Sequence, residues 1–541
     1  MSEDKQSLRR NPESVASMST PGKLVGIDLG TTFSAIATLD ERGHAVTLPN
    51  LDGEMLTPSA VLIEDGSAIV GQAARDVALE QPDHVAMLVK RFIGHPKFGY
   101  PVAGREFRPE TLSAIILKKL VTDAERRIGP TGKAVITVPA YFDDTRRKAT
   151  KDAGRIAGLE VLDILDEPTA AALAYSFQQS QNPVQLKPGD PLPIEEQTVL
   201  VYDLGGGTFD VTLVRLARHR FESLAIEGDV RLGGKDWDDR IVEYVANQFK
   251  AKFGDDPRID PVALAGLNAS AERAKRTLSK LQHTNVTVSH AGKTLAVPLT
   301  RAEFENVTKD LLMRTRLTTQ QVLRQAKRTW DQVDRILLVG GSTHMPMTGR
   351  MIAELSGKTP DNSLAVSEVV ARGAALHAGI VAARMGDSDA LGDDVLDLLG
   401  DVVEINVNSH SFGIEIRKDK DRLNDILIPK NTQLPTEATR VYRTVVENQP
   451  RVRVKVLQGD ATQADVCIAI GECWIDGLPP NLPKNAPIQV RCGVAANGLI
   501  EVTAVDQTSG KSAHTQIHRA IGLTDEQIAQ EAAWVKGLRI E

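Results

Sequence analysis

The chain contains the same strand-and-turn motif twice. Residues 25–35 read VGIDLGTTFSA and residues 201–211 read VYDLGGGTFDV, so in each an apolar run precedes Asp-Leu-Gly and small residues ending in Thr. Such runs are typical of buried strands, and glycine lets backbone N–H groups approach a phosphate. The aspartate would repel that phosphate unless Mg²⁺ lay between them. A plain tight turn would explain one copy; two matching copies favour two similar half-domains that clamp one polyphosphate.

Composition excludes several classes of protein. The chain has 541 residues, of which 42% are hydrophobic and 25% charged, as expected for several globular domains. A net charge of −7 argues against broad nucleic-acid binding, and no apolar run is long enough for a membrane span. The polar N-terminus does not resemble a secretory signal. Three cysteines without a CxxC pair (Cys467, Cys473 and Cys492) suggest a reducing, cytoplasmic location, and buried thiols are favoured over a metal or redox role.

The pattern along the chain predicts an α/β region followed by an all-β region. Short apolar runs alternate with helical segments from Lys23 to about Leu376, interrupted by a predicted surface loop at 178–197. Short alternating strands follow an acidic segment, and a helix with Thr524 as its N-cap ends the sequence. The predicted divisions are a disordered tail (1–21), a nucleotide-binding ATPase domain (22–385), an interdomain linker (386–407), a β-sandwich (408–520) and a short helix (521–541).

Other phosphate motifs can be excluded, and two further segments fit a nucleotide. Three GK[ST] fragments lack the upstream glycine of a P-loop, and no GxGxxG turn follows a strand. The turn LLVGGSTHMP (337–346) carries no Asp at its strand end, which suits the uncharged part of a nucleotide. The segment NASAERAKRTLSK (268–280) predicts a helix with four polar residues on one face, either a nucleoside-binding face or a solvated salt-bridged one.

Several motifs in a fixed order closely resemble the DnaK-type heat-shock protein 70 chaperones and, more distantly, the actin and sugar-kinase superfamily. They are GIDLGTTFS, VKRFIG, AVITVPAYFDDTRRKATKDAG, ILDEPTAAALAY, YDLGGGTFDV, RLGGKDWD, AERAKRTLS, LLVGGST, VLQGD and NGLIEVTAVDQTSGK. The resemblance implies an actin-like two-lobed ATPase domain, a β-sandwich that binds substrate, and a short C-terminal helix in place of the family's longer lid. It also implies a stress-response chaperone and slow, Mg-dependent ATP hydrolysis that controls the binding of extended apolar segments of unfolded clients.

The resemblance assigns roles residue by residue. The catalytic residues implied are Lys90, Glu167, Asp203, Asp28, Asp210 and Thr208, with Asp28 and Asp203 holding Mg²⁺ through waters. The ATP- or ADP-binding residues implied are Gly30, Thr31, Thr32, Gly205, Gly206, Gly207, Thr208, Glu272, Lys275, Arg276, Ser279, Gly340, Gly341, Ser342 and His344. Pro139 and Arg147 would relay the nucleotide state, although Pro139 could simply end a strand. Tyr442, Val445, Val452 and Val454 would contact the peptide, although an ordinary half-buried strand explains the alternation equally well.

Departures from the family concentrate at interfaces. In the linker, Glu404 places a charge where an apolar residue is expected, and burying it unpaired would be costly. Asn406 and Asp163 change the charges expected for contact with a J-domain co-chaperone, and Asn424 replaces the methionine expected over the peptide. With only Thr524 to about Leu538 as a lid, we expect faster peptide release.

The functional prediction has two alternatives. The main prediction is a chaperone whose partners are client polypeptides, a J-domain co-chaperone and a nucleotide-exchange factor, with no nucleic acid or membrane. One alternative is a nucleotide-switched regulatory or scaffold protein that binds one dedicated partner. The other is a small-molecule kinase, which would not need the β-sandwich.

Overall fold

The structure is a computed structural model. It describes residues 22–541 except 65, 96–97, 182–195, 218–219, 362–364, 388–389, 419–420, 496–497, 499 and 518–521. The predicted tail (1–21) and most of the predicted loop at 178–197 lie outside the described residues.

The first lobe is built on a mixed sheet with smaller strands beside it. Its strands are β1 (Lys23–Asp28), β2 (Phe33–Leu39), β3 (Ala45–Leu48), β4 (Thr57–Pro58), β5 (Ala60–Glu64), β6 (Ser67–Val70), β7 (Val85–Met87), β8 (Tyr100–Val102), β9 (Arg105–Phe107), β10 (Thr131–Val138) and β11 (Glu160–Asp166). Its helices are α1 (Gln72–Val77), α2 (Pro109–Ile128), α3 (Asp144–Ile156) and α4 (Glu167–Gln181). The main sheet runs β11-β10-β1-β2-β3, and β5, β6 and β7 form a separate antiparallel sheet.

The second lobe repeats this plan. Its strands are β12 (Gln197–Leu204), β13 (Phe209–Ala217), β14 (Arg220–Asp229), β15 (His283–His290), β16 (Lys293–Thr300) and β17 (Arg335–Val339). Its helices are α5 (Gly234–Phe253), α6 (Pro261–Lys280), α7 (Arg301–Val307), α8 (Lys309–Gln325) and α9 (Pro346–Ser356). The main sheet begins β17-β12-β13-β14, and β15 and β16 form a hairpin.

The two motif strands, β1 and β12, occupy equivalent positions in the two lobes. Each begins an antiparallel three-stranded meander, and each has a parallel neighbour on its other side, β10 or β17. Asp28 ends β1, and Asp203 lies one residue from the end of β12. The predicted two-lobed α/β architecture is therefore confirmed, and the repeated sequence motif corresponds to a structural repeat.

A long, small-residue helix, α10 (Val369–Met385), packs against the first lobe. Two glycines make this close approach possible. A Cβ on Gly26 of β1 would lie 2.6 Å from Ala375 Cα, and a Cβ on Gly373 of α10 would lie 2.7 Å from Ala170 Cα. Because real side chains do not tolerate such distances, glycine at these positions sets how α10 sits on β1 and α4.

The segment predicted as a linker contains a helix and a strand. Helix α11 (Asp393–Gly400) buries Val395 and Leu399 in the same apolar cluster as α10. Strand β18 (Val403–Ile405) then pairs in parallel with β14, as the fifth strand of the second lobe's sheet. This segment therefore packs against both lobes.

The β-sandwich has two four-stranded antiparallel sheets. Its strands are β19 (Phe412–Lys418), β20 (Asp421–Ile428), β21 (Thr436–Arg443), β22 (Arg451–Gln458), β23 (Ile468–Asp476), β24 (Pro487–Val494), β25 (Ile500–Asp506) and β26 (Ser512–Ile517). The sheets run β20-β19-β22-β23 and β21-β24-β25-β26. Alternate residues of the strands fill the core between them. Cys473 and Cys492 lie buried there as free thiols, as predicted, while Cys467 is a half-buried free thiol outside that core.

The C-terminal segment packs on the first lobe rather than over the sandwich. Thr524 caps α12 (Asp525–Gly537) as predicted, its side chain accepting a hydrogen bond from the backbone of Gln527. Ile528 and Val535 join the first lobe's apolar core. Strand β27 (Arg539–Ile540) then pairs in parallel with β6. The helix predicted as a lid remnant is thus part of the ATPase lobe's packing.

Candidate nucleotide site and interdomain contacts

The two glycine turns face each other across the lobes. A Cβ on Gly207 would lie 2.5 Å from the Thr31 side chain, and one on Gly206 would lie 2.7 Å from Thr32 Cγ2. A side chain at Gly206 or Gly207 would therefore clash with the first turn. The backbone N–H of Gly205 donates to the Thr208 carbonyl at 3.0 Å, which closes that turn, and the N–H of Gly30 donates to Ser34 Oγ at 3.1 Å. The predicted phosphate turns are brought together.

Four carboxylates line the bottom of the cleft between these turns. Asp203 and Asp210 are direct partners in the β12–β13 register, Asp28 ends β1, and Glu167 begins α4. Burial and the nearby charge of Glu167 raise the pKa of Asp28 to about 7, and the same causes raise the pKa values of Asp203 and Asp210. So much clustered negative charge out of water creates a strong demand for a cation.

Lys90 supplies one cation within this cluster. It lies in a short 3₁₀ turn (Val89–Phe92), is 4% exposed, and its Nζ donates to Glu167 Oε1 at 2.5 Å. Thr137 donates to Asp28 at 3.3 Å, and the backbone N–H of Tyr141 donates to Asp210 at 3.0 Å. Sequence reasoning missed Thr137 and Tyr141, although both lie within the motif AVITVPAYFDD.

The described residues contain no ready-made ion-binding cluster. No group of three His, Cys, Asp or Glu side chains in that part of the chain has the arrangement of an ion-binding cluster. The donor set nevertheless fits Mg²⁺ held through waters, because carboxylate oxygens surround the cleft floor and Mg²⁺ usually keeps several waters.

The predicted nucleoside side is occupied by a cross-cleft ion pair. Arg75 of α1 pairs with Glu272 of α6, which also accepts a hydrogen bond from Arg276 at 2.7 Å. The guanidinium carbons of Arg75 and Arg276 lie 5.5 and 5.3 Å from the centre of the Phe33 ring. Arg75, which sequence reasoning missed, thus closes the cleft between the lobes.

The remaining predicted nucleoside residues surround this contact. Lys275 bonds to Asp238 and to the Gly234 carbonyl, both at 2.8 Å, and Ser279 donates to the carbonyl of Lys275 at 3.1 Å. Opposite them, Ser342 donates to the Gly205 carbonyl at 2.9 Å.

The third glycine turn lies on the same side of the cleft. Gly340 has φ 82°, and a Cβ there would lie 2.5 Å from the Leu204 carbonyl oxygen, so glycine is required. Gly341 has open space around it, and His344 ends the following 3₁₀ turn exposed to solvent.

The two predicted relay residues lie next to the cluster of cleft carboxylates. Pro139 follows β10, and its carbonyl accepts a hydrogen bond from the Phe142 N–H at 3.0 Å. Arg147 of α3 donates to the Ala140 carbonyl at 3.2 Å and pairs with Asp166, the residue before Glu167. Arg147 therefore ties the turn after β10 to the end of β11.

The β-sandwich docks on the same region. His410 Nε2 donates to the Tyr141 carbonyl at 3.1 Å, and the two rings are in contact, tilted by 54° with centroids 4.4 Å apart. Lys430 pairs with Glu227 at 2.7 Å, and the Asp144 N–H donates to Gln458 at 3.2 Å. Since the Tyr141 N–H binds Asp210, a single residue, Tyr141, links the sandwich to a carboxylate of the cleft.

The predicted peptide residues have four different environments. Tyr442 donates to Asp425 at 2.8 Å, Val445 is 58% exposed in the loop before β22, and Val452 packs half-buried against the sandwich core. Val454 is buried in that core. Asn424 is also buried, and its amide donates to the carbonyls of the loop after β22.

Comparison with known proteins matches this architecture. A family model described as Hsp70 protein matches residues 24–102 and 95–535. Chaperone protein DnaK from two strains of Thermus thermophilus is 40% identical over 537 residues, covering 94% of this chain and 82% of the relative. Chaperone protein dnaK3 from Thermosynechococcus vestitus is 40% identical over 541 residues, covering 94% and 75%.

Within the part of the chain that the structure describes, no helix has the length and apolar character to span a membrane. The repeated lobes, the docked β-sandwich and matches over most of the sequence converge on one family. The chain belongs to the Hsp70 family, among the DnaK-type ATP-dependent chaperones.

Proposed function

We propose that the chain hydrolyses ATP slowly, with Mg²⁺, and uses the nucleotide state to control how tightly its β-sandwich holds extended apolar segments of client polypeptides. The observation that carries this proposal is the pair of facing glycine turns above the buried Lys90–Glu167 pair. Phosphoryl transfer depends mainly on positioning and charge neutralisation, and these residues offer both.

Each group has a defined task in this proposal. The N–H groups of the two turns and the hydroxyls of Thr31, Thr32 and Thr208 bind the phosphates. Lys90 neutralises charge on the terminal phosphate, and Glu167 holds the Lys90 side chain in place. A cleft carboxylate orients the attacking water, with Asp210 fixed by the Tyr141 N–H. Bound Mg²⁺, held through waters by Asp28 and Asp203, would supply Lewis-acid stabilisation of the phosphate charge.

The test is single-turnover hydrolysis of labelled ATP by the full chain, with and without Mg²⁺. We expect Lys90→Ala to lower the rate by about 10²–10³-fold, as for removal of one positioned charge. The exposed Lys309 at the start of α8 provides a matched control, and Lys309→Ala should hydrolyse ATP at the wild-type rate. Equal rates for both variants would contradict the proposal, and label transferred to a sugar would point to a kinase.

A dedicated partner remains the alternative to general client binding. It is favoured by the sandwich itself, where Asn424 is buried in hydrogen bonds rather than presented to a peptide, and Tyr442 is already bonded to Asp425. A panel of unrelated apolar peptides separates the two functions. Binding to many of them supports the chaperone, whereas binding to none or one supports the dedicated partner.

The remaining partners and the location belong to the same proposal. A J-domain co-chaperone and a nucleotide-exchange factor would act on the ATPase domain, and a cytoplasmic location stays a prediction from the sparse cysteines.

A further inference from the structure

The linker strand β18 buries a charged residue. Glu404 lies opposite Phe221 in the β14–β18 register, and its side chain is only 5% exposed. A buried carboxylate without a partner would be strongly unfavourable, so the strand can dock only if something compensates this charge.

His377 of α10 supplies the compensation together with a second acid. Its Nδ1 lies 2.7 Å from Glu404 Oε1, and its Nε2 lies 2.9 Å from Asp163 Oδ2 of β11. An ionised carboxylate only accepts hydrogen bonds, so both ring nitrogens must carry hydrogen and the ring must be a cation. The two charge changes noticed in the sequence, Glu404 and Asp163, are therefore joined by a third residue, and the charge is not buried unpaired.

The surroundings support a cationic ring. Burial alone would lower the pKa of His377, but Glu404 and Asp163 outweigh it and raise the pKa to about 10. Arg384 lies 3.3 Å from Glu404, and Lys151 helps to lower the pKa of Asp163. Asp163 also interacts electrostatically with the Arg147–Asp166 pair, raising the pKa of both groups. Because the folded pKa is raised, this ion pairing persists through neutral pH and is lost only as the pH rises through about 10.

Two strands connect this cluster to the catalytic carboxylates. Asp163 lies on β11, which ends at Asp166 immediately before Glu167, the partner of Lys90. The linker strand pairs with the start of β14, and near the other end of β14 Gly228 lies opposite Asp210. A shift of β18 can therefore displace Glu167 through β11 and Asp210 through β14.

We propose that His377 is a positioning residue that latches the linker strand onto the ATPase domain, and that it transmits the strand's position to Glu167 through Asp163 and β11. This inference rests on the proposed function, since it assigns the residue that couples peptide binding to hydrolysis. The contact between Glu404, His377 and Asp163 is ionic, so it depends on the charges of all three side chains. Removing the charge of one of these side chains should destabilise the docked strand more than removing the charges of two that face each other, because a single removal leaves a buried charge unpaired.

The first test measures amide hydrogen exchange of the linker strand in the full chain loaded with ATP. This measurement does not depend on ATP hydrolysis. We expect His377→Gln to speed exchange at Val403–Ile405 by at least about tenfold, which is a typical size for coupling between two sites. The double variant His377→Gln/Glu404→Gln should recover much of the protection, because two facing amides can hydrogen-bond. Unchanged exchange in His377→Gln, or a double variant worse than the single one, would overturn the proposal.

The second test measures the protonation state of the His377 ring directly. Histidine-selective ¹⁵N NMR at pH 8, assigned by comparison with His377→Gln, should show both nitrogens of His377 protonated, whereas an ordinary histidine is neutral there. A neutral His377 ring at pH 8 would overturn the latch.

Peptide-stimulated single-turnover hydrolysis completes the design. In His377→Gln we expect ATP to be hydrolysed with little response to an apolar peptide, and the double variant should regain the response. If His377→Gln responds to peptide as wild type does, the latch is overturned while the proposed function stands. A wild type that does not hydrolyse ATP would contradict the proposed function, whereas the exchange and NMR results would still decide the latch.

Discussion

At the scale of single residues, the nucleotide site depends on glycines, which have no side chain, as much as on the side chains around them. Gly206 and Gly207 lie against the side chains of Thr32 and Thr31, so the first turn occupies the space that any larger residue of the second would need. The same contact brings N–H groups from both lobes to one place. Phosphate binding and lobe closure therefore rely on the same few glycines.

Gly207→Ala should reduce single-turnover ATP hydrolysis by about 10²-fold, because its Cβ would push the Thr31 turn away and misplace the phosphate groups. Gly132 near the start of β10 is a suitable control, since a Cβ there meets nothing within 4 Å and its φ is not positive. Gly132→Ala should hydrolyse ATP at the wild-type rate. A Gly207→Ala chain that is as active as this control would show that the two turns do not share the phosphates.

At the scale of elements, the C-terminal helix, predicted only as what remains of a lid, packs on the first lobe. Beyond the buried Ile528 and Val535, Trp534 packs against Phe107 with ring centroids 5.5 Å apart. Thr111 donates to Glu531 at 2.8 Å, so polar contacts accompany the apolar ones. With β27 added to β6, the segment stabilises the first lobe.

Val535→Ala should therefore lower the stability of the ATPase domain by about 2 kcal/mol, as expected for truncation of a buried side chain. Peptide release from the sandwich should be unchanged, because the helix does not lie over it. Thermal unfolding and peptide dissociation kinetics measure these two effects. Gln530→Ala, on the exposed face of the same helix, should alter neither. Faster peptide release in Val535→Ala alone would return α12 to the role of a lid.

Local sequence signals were sufficient for some features and not for others. Strand, aspartate and glycine turn are contiguous, so the positions of Asp28 and Asp203 could be predicted from the motif. The cap of α12 is equally local, but the surface on which that helix packs depends on side chains about 400 residues earlier, such as Thr111. The contact of His377 with both Asp163 and Glu404 joins three distant segments, and no local pattern marks it.

At the scale of the whole molecule, the β-sandwich, the linker strand and the cleft between the lobes form one connected structure. The sandwich contacts the cleft through His410, whose ring packs against the Tyr141 ring and donates to the Tyr141 carbonyl. The N–H of Tyr141 in turn donates to Asp210. Burial lowers the pKa of His410, so the ring is neutral and its single N–H is available for the bond to the Tyr141 carbonyl. Undocking of the sandwich would release the Tyr141 carbonyl and loosen the residue whose N–H fixes Asp210.

His410→Ala should weaken the response of hydrolysis to peptide by about tenfold, a typical coupling between two sites, because it removes the ring contact and the hydrogen bond to Tyr141. The measurement is the ratio of single-turnover rates with and without an apolar peptide. His514 on β26 is the matched control in the same domain, since it is exposed and bonds only locally to Thr503. His514→Ala should keep the wild-type ratio. If both variants keep it, the sandwich communicates with the cleft through the linker strand and its His377 latch rather than through Tyr141.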